Sequence, residues 1–199
     1  MIVGFSVENR AIEAFGEGDV LVFGGIHGDE IESVELCRRF THDGAIVVPA
    51  VNPDGLVRNQ KNNARDVDLN RNFAAKNWQL GHPEGYDPGP TPQSEPEVTA
   101  LVALIDRWQP RALVAVHQPF RCVNWDGSGQ GLADQMAAAY GYPSVATVGY
   151  PTPGSFGSRY GVDEGRAVVT LELPRPVPDG DWDGCLEALR CSTIIPPAG

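Results

Sequence analysis

The sequence predicts an α/β domain. Four apolar runs of strand length, Val20–Phe23, Ala45–Val51, Ala112–Val116 and Ala167–Leu173, alternate with helix-patterned segments, the order expected when helices cover a largely parallel sheet. Three of the runs bring His27, His117 and Glu172 to or near their C-terminal ends, the edge where ligand crevices form in open α/β sheets. With 42% hydrophobic and 21% charged residues over 199 positions, the chain can build one substantial core. No repeat or linker divides it, so residues 1–199 are expected to form one domain.

The elements follow in order. Val20–Phe23 reads as a buried strand that ends in the turn Gly24-Gly25-Ile26-His27-Gly28-Asp29-Glu30. Glu30–Phe40 is a helix with Ile31, Val34, Leu36 and Phe40 on its apolar side. Ala45–Val51 is a second strand, closed by the turn signal Asn52-Pro53-Asp54-Gly55. Residues 56–93 are polar and rich in Asn, Gly and Pro, and a loop of that length inside a compact domain is usually functional. Ser94-Glu95-Pro96-Glu97 has the pattern of a capping box and opens a helix to about Gln109. Ala112–Val116 is the third strand. Residues 118–130 read as loop and Leu132–Tyr140 as a short helix. Pro143–Ser155 is mixed, Ala167–Leu173 is the fourth strand, and a helix near Asp183–Cys191 precedes a Pro-rich tail.

Charge and targeting exclude several functions. A formal net charge of -11 and a pI near 4.7 make nucleic acid or an anionic membrane a poor partner. No apolar run approaches the roughly 20 residues of a membrane span. Met1-Ile2-Val3-Gly4-Phe5 lacks a basic n-region and a long apolar h-region, so a cytoplasmic location is expected. Cys37, Cys122, Cys185 and Cys191 form no C-x-x-C pair and are expected to be free thiols.

Three constellations carry chemistry. His27 and Glu30, three residues apart on a turn entering a helix, can reach one ion, and His117 would be a third ligand. Three protein ligands leave the open position that a catalytic zinc needs. The plain alternative is a turn histidine beside a first-turn acid favoured by the helix dipole. In Asp66-Val67-Asp68-Leu69-Asn70-Arg71-Asn72-Phe73, Arg71 has the fork that binds carboxylates and Asn70 a further donor. Asp68 there suits the free ring N–H of a metal-bound histidine. An Asx-rich loop bonding its own backbone would look the same. In Thr170-Leu171-Glu172-Leu173, a carboxylate on a core strand needs a partner or a cavity and suits a general base, although period-2 alternation could turn it outward. Asp126 either recognises a substrate amine or caps the turn before Gly127, with the turn preferred. His42 and His82 read as surface residues.

Taken together, these segments resemble the zinc carboxypeptidases of the carboxypeptidase A superfamily. His27-x-x-Glu30, Asp68-Leu69-Asn70-Arg71-Asn72-Phe73, Ala115-Val116-His117 and Thr170-Leu171-Glu172-Leu173 match its motifs in order. His117-Gln118-Pro119 and Tyr150-Pro151-Thr152-Pro153-Gly154-Ser155-Phe156-Gly157 are similar to its short bacterial branch, the murein tripeptide amidases, which cut the γ-D-glutamyl–diaminopimelate bond. The resemblance implies a three-layer α/β/α sandwich with a mixed, mostly parallel central sheet, and a small peptide substrate with a free carboxylate. It implies that His27, Glu30 and His117 hold Zn²⁺, Glu172 activates the attacking water, Asn70 and Arg71 clamp the terminal carboxylate, Tyr150 closes over substrate and Asp68 orients His27. The family's carbonyl-polarising arginine is replaced by Lys61, with Arg58 and Arg65 as other cations nearby, and Asp66 stands where a glycine is common. The neighbouring aspartoacylase and succinylglutamate desuccinylase branch shares His-Gly-Asp-Glu and Asp-Leu-Asn-Arg, and a zinc-binding relic without activity is the non-enzyme alternative.

Overall fold

The computed structural model describes residues 1–40, 44–81 and 83–194; His42 and His82 lie outside them. A two-stranded antiparallel sheet, β1 (Ile2–Phe5) with β2 (Ala11–Glu13), precedes a six-stranded sheet. The larger sheet is built from β3 (Phe15–Phe23), β4 (Gly44–Val48), β5 (Ala112–His117), β6 (Cys122–Gly127), β7 (Ser144–Val145) and β8 (Ala167–Glu172), ordered β4-β3-β5-β8-β6-β7. All neighbours are parallel except β6 against β8, so the sheet is mixed and mostly parallel, as expected.

The second half of β3, β4, β5 and β8 read as nearly continuous apolar runs because both faces are covered. Alternate residues divide between two cores. Val20 and Val22, Ala45 and Val47, Val114 and Val116, and Val169 and Leu171 face α1 (Ile31–Arg39), α4 (Gln130–Tyr140) and α5 (Trp182–Ile194). Leu21 and Phe23, Ile46 and Val48, Leu113 and Ala115 face α3 (Pro96–Trp108), Leu69, Phe73, Phe156 and Tyr160. By the same alternation His117 and Glu172, paired in register across β5 and β8, point toward this second face.

Several local expectations change. Asn52-Pro53-Asp54-Gly55 is the start of a helix, α2 (Pro53–Arg58), because the Asn52 side chain accepts from Gly55 N at 2.8 Å and Pro53 takes the first turn. The helix α3 is capped by Glu95 rather than Ser94, without a capping side-chain bond. The Ser94 hydroxyl instead donates to Glu95 and accepts from Asn72, while Glu97 accepts from Val7 N and Asn63; the loop has taken over these side chains. Residues 122–127, read as loop, form β6. Val123 belongs to the first core and Trp125 packs against it, while the alternate residues Asn124 and Asp126 line a cavity. Gly157–Val162 forms a π-helical turn. The four cysteines are free.

The described parts of the polar stretch, 59–81 and 83–93, are pinned rather than loose. Asn63 Nδ2 donates to Glu95 and Glu97, and its Oδ1 accepts from Arg65 N and Val67 N. Asn72 donates to Pro88 O and Thr91 O, and accepts from Glu95 N. Phe73 anchors the same segment, fully buried with its ring 5.4 Å from that of Phe156. Phe73→Ala is expected to cost about 3–5 kcal/mol of stability, whereas Val57→Ala, 67% exposed, should stay within about 0.5 kcal/mol. Urea denaturation of both variants checks this; equal midpoints would remove Phe73 from the core account.

Candidate active site

The site lies where the strands end. After β3 the chain turns through Gly24–Glu30 and enters α1. Gly28 is required there by close approach: a Cβ would meet Gly55 C at 2.0 Å. Its N–H donates to Lys61 O at 3.1 Å, which ties the turn to the 59–72 loop. Buried His27 and Glu30 project from this turn, and buried His117 from the end of β5.

His27 Nδ1 lies 2.8 Å from Glu30 Oε1 and Nε2 lies 3.2 Å from Asp68 Oδ1. His117 Nδ1 is 3.1 Å from Glu30 Oε2, at ion-pair distance but outside hydrogen-bonding geometry, so that oxygen is buried without a hydrogen-bond partner. One ligand atom from each of His27, Glu30 and His117 falls within 4.8 Å of the others, the group among the described residues suited to hold a metal ion. An orphaned carboxylate oxygen between two imidazoles fits a divalent cation. The Asp68 carboxylate can only accept, so His27 carries a proton on Nε2 and turns Nδ1 to the cluster.

The electrostatics agree. Burial pulls His27 down, but Glu30 and Asp68 overcome it and raise the pKa to about 10. Burial pushes Glu30 up, but His27 and His117 bring it to about 2. Asp68 is likewise lowered, against burial, by His27, Arg71 and Lys61. Carboxylates that favour a proton on His27 also favour a cation among the same ligands. Glu172 differs: burial raises its pKa, His117 opposes and Glu30 adds to the rise. Among the described residues its carboxylate accepts one hydrogen bond, from Phe120 N at 3.4 Å.

These groups open on a cavity of about 290 Å³ that also receives Lys61, Asn70, Arg71, Asp126, Tyr150 and Arg175. Asn70 Oδ1 accepts from Phe156 N at 3.0 Å, which leaves its amide N–H groups for the cavity. Arg71 is buried, with Nη1 donating to Asn70 O at 2.7 Å. Tyr150 is 41% exposed at the mouth, and burial raises its pKa. Of the three candidate cations, Arg58 pairs with Glu8 and Arg65 with Glu95; Lys61 lines the cavity, with Nζ 2.7 Å from Asp68 Oδ2. Asp66 takes the positive φ of 65° that a glycine would hold without cost, and its carbonyl accepts from Asn62 Nδ2.

Asp126 does not cap its turn. Its backbone carbonyl accepts from Gly129 N, but among the described residues its carboxylate has no hydrogen bond or ion pair, and burial raises its pKa. Gly157 makes room for it: a Cβ there would lie 2.3 Å from Asp126 Oδ2. Sequence reasoning missed Tyr86 and Arg175. Lys61 Nζ sits 3.5 Å from the Tyr86 ring centroid and Arg71 Cζ 5.4 Å from it; nothing in the polar loop marks that tyrosine.

The family model for zinc carboxypeptidases matches residues 2–130. That span holds the three ligand candidates and the Asn70-Arg71 pair; Glu172 lies beyond it and is placed by its register with His117. A murein peptide amidase A from Escherichia coli K12 is 40% identical over 172 residues, covering 77% of this chain and 70% of the relative. The protein of that name from Vibrio campbellii is 33% identical over 175 residues, covering 77% and 68%. The crystal structure of murein-tripeptide amidase from Escherichia coli O157 superposes with a TM-score of 0.87 at 33% identity, over 100% of this chain and 93% of that one.

Proposed function

From the premise that the chain belongs to the zinc carboxypeptidase family and is a metallohydrolase, we propose that it hydrolyses the amide between a γ-linked glutamyl residue and a diamino acid with a free carboxylate, as in murein peptides. The observation that carries the reaction is the convergence of three ligand groups, the Glu172 carboxylate and the Arg71 guanidinium on one cavity.

His27, Glu30 and His117 would hold the zinc, which would supply a Lewis acid for the scissile carbonyl and a water of lowered pKa. Asp68 fixes the His27 ring through Nε2. Glu172 accepts a proton from the attacking water as the new C–O bond forms. It passes that proton to the amide nitrogen as the C–N bond breaks, and the remaining proton moves from the new carboxyl to the amine, so the products are a carboxylate and an ammonium. Its burial-raised pKa suits both halves of this transfer. Arg71 and Asn70 clamp the carboxylate of the leaving residue. Lys61 supplies positive charge to the carbonyl oxygen, without the fork that an arginine would bring, and Tyr150 closes over the substrate. The reaction belongs in the cytoplasm, where recycled wall peptides would meet it, and no helix among the described residues is long and apolar enough to cross a membrane.

The substrate assignment draws on the murein amidase relatives and on Asp126. A partly buried, unpartnered carboxylate in the cavity that holds Arg71 suits a leaving residue with an ammonium group beyond its carboxylate. Zinc-loaded protein should cleave γ-D-glutamyl–diaminopimelate and spare N-acyl amino acids. Replacing diaminopimelate by alanine, or Asp126 by Asn, should each lower kcat/KM roughly tenfold to a hundredfold, and the two losses should not add. Preference for N-acyl amino acids would overturn the reaction class. An undiminished Asp126→Asn rate would overturn the role of Asp126.

A further inference from the structure

We propose that Arg175 binds a free carboxylate on the acyl side of the scissile amide, so that the cavity selects an acyl residue carrying an α-carboxylate; the inference rests on the amidase reading above. Arg71 accounts for the leaving residue. Arg175 is a second guanidinium on the same cavity, and the mechanism does not use it.

Its placement defines what it can reach. Arg71 lies between Leu69 and Phe73, both in the core that packs α3. Arg175 lies between Leu173 and Val177, both in the core that packs α1, α4 and α5. The two cations thus come from segments packed into different cores, and both open on the cavity lined by His27, Glu30 and His117. A substrate whose amide carbonyl sits at those ligands and whose leaving residue runs to Arg71 must extend its acyl residue the other way. Arg175 is also tied directly to the ligand turn: Nη1 donates to Asp29 Oδ2 at 3.1 Å and Nη2 to Asp29 O at 2.7 Å. Asp29 sits between His27 and Glu30 in the chain.

Those two bonds orient the guanidinium without exhausting it. Of its five N–H groups, two are used, and among the described residues it has no other hydrogen bond or ion pair. The side chain is 43% exposed, so an incoming group can reach it. A fork held at one end and open at the other suits a carboxylate. In an ordinary α-linked peptide the acyl residue's carboxyl is consumed in the scissile amide. A γ-linked glutamyl residue keeps its α-carboxylate free, three carbons from the reacting carbonyl.

The test compares two substrates with the same leaving residue, γ-D-glutamyl–diaminopimelate and 4-aminobutanoyl–diaminopimelate, which lacks only the α-carboxylate. The wild-type zinc enzyme should favour the first by roughly tenfold to a hundredfold in kcat/KM. In Arg175→Met that ratio should fall to near one, chiefly through KM for the glutamyl substrate, and Arg175→Lys should recover part of it. An unchanged ratio in Arg175→Met overturns the inference and leaves the amidase reading standing. Equal losses on both substrates also overturn it, since they would mark Arg175 as a support for the Asp29 turn. Failure of the wild type to cleave either substrate overturns the amidase reading and the inference with it.

Discussion

Glu172→Gln should lower kcat/KM on a γ-D-glutamyl–diaminopimelate peptide by roughly a hundredfold to ten-thousandfold, with zinc content unchanged. The amide keeps the shape of the side chain and can still accept from Phe120 N, the one bond the carboxylate makes to a described residue. It cannot take a proton from water. Glu172 faces His117 across the β5–β8 ladder, so the substitution also removes a negative charge beside the ligands, and metal analysis is essential to the result. Lost activity with zinc retained identifies the base. Lost activity with lost zinc would make Glu172 a support of the metal site, and retained activity would place the base elsewhere.

The legible parts of this fold are those that burial makes monotonous. Val20–Phe23 and Ala112–Val116 stand out because helices cover both faces and every position is apolar. The first half of β3 is exposed, contains Gly16 and Gly18 and pairs with β4 through repeated register shifts; no period marks it. The strand β6 is hidden for a functional reason. Its cavity-facing residues, Asn124 and Asp126, are polar, so strand alternation there looks like a loop. The ligand candidates were readable because each sits at the end of an apolar run or in a compact motif. Tyr86 and Arg175 act through partners far away in sequence, Lys61 for one and Asp29 for the other, and a single chain read in order does not show such pairings. Lys61 was readable as a candidate, but its separation from Arg58 and Arg65 needed the structure, which pairs both arginines with glutamates away from the cavity.

His117→Ala should abolish stoichiometric zinc binding, and Asp68→Asn should weaken it roughly tenfold to a hundredfold. The two losses differ because the residues act differently. In the proposed site His117 supplies one of three ligand atoms, and without it Glu30 Oε2 loses the imidazole nitrogen 3.1 Å away. Asp68 touches the outer nitrogen of His27, so its amide leaves all three ligands present but no longer dictates which ring nitrogen carries the proton. Asp68→Asn also frees Lys61 from its 2.7 Å pairing, so its kcat should fall even at saturating zinc, while chelation of the wild type should be fully reversed by zinc. Zinc titration of chelator-treated proteins separates the variants. Equal stoichiometry and affinity in wild type and His117→Ala would dismantle the three-ligand assignment, because no other group of described residues brings three such donors together.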